Sequence, residues 1–177
     1  MTFHKISSRS IYHGRVFALQ QDEVSLPDGR VVQLDIVNHP GAVVLVPVDA
    51  QGNVWFVRQY RHAAGREMLE LPAGTTERGE DIESCAYREL REEIGMAAEK
   101  IVKIGEFFTA PGYSTEYLTI FLATDLHPAP LPGDDDEFIH VERIASDKVF
   151  ALAEQGQIPD AKTLAALLLA RPYIQPI

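Results

Sequence analysis

The sequence predicts an α/β protein: an α/β/α sandwich built on a mixed β-sheet and preceded by a small N-terminal antiparallel β-sheet. Three observations carry this expectation. Apolar runs of strand length recur between residues 42 and 144. Helical patterns fall only in the middle and at the end of the chain, which is not the regular alternation of a doubly wound fold. Residues 9 to 37 alternate as short strands with little apolar content, the pattern of a meander.

Taken in order, "RSIYHGRVFALQQDEVSL", the turn "PDGR" and "VVQLDIV" form the meander. A three-stranded sheet with so little to bury needs a second surface. We therefore expect residues 1–37 to be a dimerisation element of a homodimer and residues 38–177 to be the main domain. "AVVLVPV" and "VWFVRQY", joined by "DAQGN", read as a hairpin at the centre of the sheet, with continuous apolar runs suited to strands covered on both faces. "LELPAG" leads into a helix that Asp81 can cap and Gly95 can end. "IVKIGEFFTA" and "YLTIFLATDL" are strands on either side of "PGYSTE". After the Pro-rich "HPAPLPGDDDE" come the strand "FIHVERI", a helix from Ser146 to about residue 155, and a last helix over about residues 161–170. No internal repeat is present.

At 177 residues, with 46% hydrophobic and 24% charged side chains, the chain has the composition of one ordinary globular domain. The net charge of −10 argues against a nucleic-acid partner, which requires a basic stripe. An anionic small molecule remains compatible if a few arginines and a metal ion offset the field. The single cysteine, Cys85, forms no intrachain disulfide and no signal-peptide pattern is present, so the expected compartment is the cytoplasm. The apolar run "LAALLLA" is too short to span a bilayer, and no membrane partner is expected.

The helix after residue 81 carries the chemistry. On a wheel of about 100° per residue, Ile82, Ala86, Leu90 and Ile94 form an apolar stripe, and Glu89 and Glu93 fall inside it, while Ser84, Arg88 and Arg91 take the opposite sector. A solvated acidic face would put Glu89 and Glu93 on that opposite side. Carboxylates turned towards a core are costly unless paired or bound to a cation. Oxygen ligands on a short arc suit Mg2+ or Mn2+ rather than Zn2+, and the scattered histidines show no ligand spacing.

The stretch resembles a Nudix box, G-x5-E-x7-R-E-U-x-E-E-x-G-U with U apolar. Gly74, Glu80, Arg88, Glu89, Leu90, Glu92, Glu93, Gly95 and Met96 fill its fixed positions. The resemblance implies a Nudix-type α/β/α sandwich and a divalent-metal hydrolase that splits the pyrophosphate of a nucleoside diphosphate linked to another group. It implies metal ligation by Glu89, Glu93 and the Ala73 carbonyl, a further carboxylate at Glu92, orientation of a carboxylate by Arg88, and loop support by Glu80.

Outside the box, "HPGAVVLVPV", "VRQYRHAAGREMLELPAG", "APGYSTEYLTIFLA" and "DAKTLAALLLA" are similar to the ADP-ribose pyrophosphatase branch. This implies an ADP-ribose-like nucleoside diphosphate sugar as substrate, contacted by Arg61, Gly74 and Pro111. In "GDDDEF" the resemblance implies a catalytic base at Asp135 and a metal ligand at Glu137. Relatives usually carry Glu at the base position, so Glu137 as base stays open. Leu34 and Asp35 stand where the branch often has Arg-Glu holding adenine across a dimer interface. Leu34 cannot supply cation–π stacking, which keeps GDP-mannose, NADH or FAD open as alternative substrates. A catalytically silent nucleotide-sensing or protein-interaction Nudix module is the competing class, disfavoured by the intact carboxylate set.

Overall fold

A computed structural model of the chain describes residues 2–77, 79–133 and 138–174. The chain divides into two units, residues 1–41 with 107–118 and residues 42–106 with 119–177.

In the first unit, β1 (His4–His13), β2 (Ala18–Ser25) and β3 (Val31–Asn38) pair antiparallel in the order β1-β2-β3. Polar side chains tie neighbouring strands, as where Gln21 Nε2 donates to Asp35 Oδ1 at 3.0 Å and Arg9 donates to Gln21 at 3.1 Å. Every residue of β1 is exposed, including Ile6, Ile11 and Tyr12. The turn 109–116 joins β3 through the Val37 N–H to the Tyr113 carbonyl (2.8 Å) and the Thr115 N–H to the Val37 carbonyl (3.0 Å). Thr115 also accepts the His39 N–H at 2.9 Å.

The second unit holds two further sheets. One has the order β7-β4-β9-β8, from β7 (Ala73–Thr75), β4 (Ala42–Pro47), β9 (Tyr117–Pro128) and β8 (Met96–Phe108). The other has the order β10-β5-β6, from β10 (Ile139–Ala145), β5 (Asn53–Arg61) and β6 (Arg66–Glu70). The helices are α1 (Ile82–Glu93), α2 (Ser146–Glu154) and α3 (Ala161–Ile174). α1 and α3 both pack against β4, whose six residues are all buried. Alternation across the strand puts Val43 and Leu45 into one core with Cys85, Ala86 and Leu90 of α1, Val57 of β5 and Phe121 of β9. The α/β/α expectation holds.

The expected β4–β5 hairpin does not form. The two strands enter different sheets, and their ends are linked by the isolated bridge Val48↔Val54 and by the Asp49 N–H donating to the Asn53 carbonyl at 3.0 Å. Asp49 explains the break: it accepts from the Gln51 N–H, the Asn53 N–H, the Asn53 amide and the Trp55 indole. The connection is thus a compact turn of its own rather than the tip of a ladder. β6 and β7, within "REMLELPAGT", carry no clear strand signal in the sequence, because short apolar runs carry little periodicity. α3 continues about one turn past residue 170 to Ile174 and accommodates Pro172 near its end.

Candidate active site

The site lies in the second unit and starts from α1. Asp81 caps the helix, its Oδ1 accepting the N–H groups of Glu83 (3.1 Å) and Ser84 (3.0 Å). Gly95 follows the C-cap Ile94 with φ +68°, a conformation that ends a helix at little cost for glycine. The buried face so defined comprises Cys85, Ala86, Glu89, Leu90 and Glu93. Glu89 and Glu93 are only 8% and 7% exposed, so two carboxylates do share the apolar side.

Arg88 neutralises part of this charge. Its Nε and Nη2 donate to Glu80 at 2.8 and 3.0 Å, and its Nη1 donates to Glu89 Oε1 at 2.6 Å and to Glu92 Oε2 at 2.8 Å. Nη2 also meets the Thr75 carbonyl at 3.3 Å. The watery sector expected for Arg88 and Arg91 is therefore a correction. Arg88 is half-buried among carboxylates, and the Arg91 Nε donates to the Ala129 carbonyl at 2.9 Å. A wheel places Cβ atoms, whereas a guanidinium reaches well to the side of its own Cα. Hydrogen bonding to Arg88 pulls the Glu80 carboxyl down to about 2, and Arg88 is held fully protonated by Glu80 first, then Glu92 and Glu89. Burial, with Glu80 and Glu89 nearby, pushes the Cys85 thiol up to about 12, which makes it an inert packing group.

The loop around Gly74 is shaped to the Glu89 carboxylate. A Cβ on Gly74 would lie 1.8 Å from Glu89 Oε1, so the Glu89 carboxylate holds this place only because residue 74 has no side chain. Next to it, the Ala73 N–H donates to Glu93 Oε2 at 2.9 Å. Ala73, Gly74, Arg88, Glu89, Glu92 and Glu93 are thus brought together. Among the described residues, no three His, Cys, Asp or Glu side chains are gathered as a preformed metal cage; Glu80, Glu89 and Glu92 instead share the Arg88 guanidinium. The donor set fits a hard divalent cation, being all oxygen, acidic beyond what one guanidinium offsets, and seated beside a glycine that leaves Glu89 room.

Asp135 and Glu137 lie outside the described residues. The chain before them follows the end of α1: the Ala129 N–H donates to the Gly95 carbonyl (3.0 Å), the Leu131 N–H donates to the Arg91 carbonyl (3.1 Å), and a Cβ on Gly133 would lie 3.5 Å from the Glu92 carbonyl oxygen. Leu34, Asp35 and Pro111 belong to the first unit. There Leu34 is exposed on β3 and Pro111 is exposed in the turn closed by the Tyr113 and Ser114 N–H groups on the Ala110 carbonyl.

Arg61, at the end of β5, makes a two-point pair with Glu70: Nε to Oε1 and Nη2 to Oε2, both 2.8 Å. Glu70 is 1% exposed and also receives the Lys162 ammonium. Burial by itself would raise the Glu70 carboxyl, but Arg61 and Lys162 together hold it below the usual range. Glu70 raises Arg61 in turn, with added attraction from Glu93 and Asp160. The sequence does not single out Glu70 as the partner of Arg61. Its signal was an acidic residue inside the apolar run "MLELP", which invites the same question as Glu89 and Glu93.

An acidic helix face turned inwards, one arginine gathering three carboxylates, and a glycine moulded to the first of the Glu pair, all on an α/β/α sandwich, are the arrangement expected of a hydrolase of the Nudix class. The NUDIX domain family matches residues 37–167, and the chain belongs to that family. An ADP-ribose pyrophosphatase of Bacillus subtilis (strain 168) is 38% identical over 164 residues, covering 92% of this chain and 89% of the relative. An ADP-ribose pyrophosphatase of Mycobacterium tuberculosis (strain ATCC 25618 / H37Rv) is 38% identical over 173 residues, covering 94% and 82%. In structure, the chain is similar to a crystal structure of an ADP compounds hydrolase, with a TM-score of 0.87, 23% identity, and coverage of 99% of this chain and 95% of that one; at that identity the likeness speaks to fold. Among the described residues, no helix is long and apolar enough to cross a membrane.

Proposed function

We propose that this enzyme hydrolyses the pyrophosphate bond of a nucleoside diphosphate sugar, with ADP-ribose cleaved to AMP and ribose 5-phosphate as the favoured reaction. The observation that carries it is the pair of buried carboxylates, Glu89 and Glu93, on the apolar face of α1. The 38% identity to two ADP-ribose pyrophosphatases supports the choice of substrate. Mg2+ or Mn2+, held by Glu89, Glu93, the Ala73 carbonyl and Glu137, supplies when bound the positive charge that a diphosphate needs in a protein of net charge −10.

The chain's own groups divide the remaining work. Arg88 orients Glu89 and Glu92 by charge-assisted hydrogen bonds. Arg61, 40% exposed at its side chain, turns part of its guanidinium to the substrate diphosphate. The attacking water gives its proton to Asp135, or to Glu137 if the shorter Asp does not reach. Both follow a segment that runs beside Glu92. Pro111, Leu34 and Asp35 are the proposed contacts to the nucleoside.

The exposed Ile6, Ile11 and Tyr12 on β1 and Val31 and Leu34 on β3 support the reading of residues 1–37 as a homodimer element that contributes to the partner's nucleoside pocket. The substrate test compares kcat/KM for ADP-ribose, GDP-mannose and NADH with Mg2+ present, following AMP and the sugar phosphate without free phosphate release. A clear preference for GDP-mannose would move the assignment to that substrate. No turnover of any of the three, with metal present and nucleotide bound, would mark a silent sensor.

A further inference from the structure

Arg61 and Glu70 share one face of the β10-β5-β6 sheet. Register pairs Arg61 with Arg66 and Val57 with Glu70, so side chains 57, 59, 61, 66, 68 and 70 project to the same side. Arg61 folds back along that face and meets Glu70 side-on, through Nε and one terminal nitrogen. Of its five N–H donors, three are not engaged by Glu70, the second on Nη2 and the two on Nη1.

Glu70 is itself held from a distant part of the chain. The sequence Asp160-Ala161-Lys162-Thr163, at the start of α3, grips residues 70 and 71 at two points. Lys162 donates to Glu70 Oε2, and the buried Thr163 hydroxyl accepts the Leu71 N–H at 2.9 Å. Asp160 organises the grip, its Oδ2 accepting from the Lys162 ammonium (2.9 Å), the Thr163 N–H (3.0 Å) and the Thr163 hydroxyl (2.6 Å). A fully buried carboxylate between two cations is weak evidence for stability, since a well-packed apolar residue often serves a core as well. What it does provide is direction.

We propose that Glu70 and Lys162 are positioning residues: anchored by α3, Glu70 fixes the direction in which Arg61 presents its outer N–H edge to the substrate diphosphate. The proposal rests on the reading of Arg61 as a diphosphate contact. A long arginine side chain that is already oriented loses less freedom when an anion binds. Glu70 touches no reacting atom; it acts through Arg61.

The test is a kinetic double-mutant cycle on the full chain with Glu70→Gln and Arg61→Ala, using whichever of the three panel compounds is turned over fastest. For each variant kcat, KM, the Mg2+ concentration for half-maximal rate and the thermal midpoint are measured. Arg61→Ala is expected to lower kcat/KM by about a hundredfold. Glu70→Gln is expected to lower it about tenfold, mainly through KM, with the Mg2+ requirement unchanged, and to cost less than about twofold once Arg61 is Ala. Equal costs of Glu70→Gln in both backgrounds, or no cost, would overturn the positioning role while leaving Arg61 as a diphosphate contact. No effect of Arg61→Ala would overturn the contact itself and the positioning role with it. Should Glu70→Gln fail to fold, Lys162→Met takes its place. Its expected cost is about threefold in KM when Arg61 is present and none when it is absent, and the same cost in both backgrounds overturns the proposal.

Discussion

Replacing Gly74 by Ala puts a methyl carbon 1.8 Å from Glu89 Oε1, 1.9 Å from its Cδ and 2.4 Å from Oε2. Carbon and carboxylate cannot approach within about 3 Å, so the carboxylate has to retreat by about 1 Å or more. Gly74 has no positive φ, so the backbone accepts alanine without strain and the whole effect falls on Glu89. That side chain is pinned by Arg88 at 2.6 Å and buried on the helix face. Moving a carboxylate end is a small rearrangement beside repacking a core, and the stability cost should stay near the lower end of the usual overpacking range, about 1 kcal/mol. The functional cost should be far larger, because a displacement of about 1 Å in a positioned group can cost about a hundredfold in rate. The assay is AMP release from ADP-ribose across a Mg2+ titration, with thermal unfolding in parallel. We expect kcat/KM to fall by about a hundredfold, a raised Mg2+ requirement, and a midpoint lowered by only a few degrees. An alanine variant with near-native rate at low Mg2+ would refute the link between Gly74, Glu89 and the metal. A variant that simply unfolds would show that Glu89 is rigid core rather than an adjustable ligand.

Three further outcomes are expected. Glu80 has a lowered folded pKa, so its contribution to stability is present above the ordinary carboxylate range near 4.5 and is lost as pH falls towards about 2; in urea melts, Glu80→Gln should flatten the decline between those values, and an unchanged decline would show that the Glu80–Arg88 pair does not hold the loop. Asp135→Asn should lower kcat with the Mg2+ requirement intact, whereas Glu137→Gln should raise the Mg2+ concentration for half-maximal rate. The reverse pattern exchanges the two roles, and no effect of either sends the search for the base to Glu92. Removal of residues 1–37 should give a poorly soluble, inactive chain, and sedimentation showing a soluble, active monomer would sink the dimer reading.

The sequence alone determined the class of site, because the box depends on local spacing. Glu89 and Glu93 four residues apart must share a helix face, Asp81 and Gly95 bound that helix wherever it packs, and nine positions at set intervals leave little freedom of interpretation. It also carried the two-sided burial of β4, since a run of six apolar residues can be satisfied only under two covering layers. What tertiary structure decided was every relation between segments far apart in the chain. β4 and β5 look like a hairpin locally, yet each finds its ladder partners elsewhere, β9 and β7 for one and β10 and β6 for the other. Arg88 looks solvent-facing on a wheel, yet Glu80 in the preceding loop and Thr75 in β7 close around it. Glu70 and Lys162 are ninety-two positions apart, and no local pattern joins them. Periodicity reports which way a side chain leaves its own element; the identity of its partner depends on which other element folds against that face.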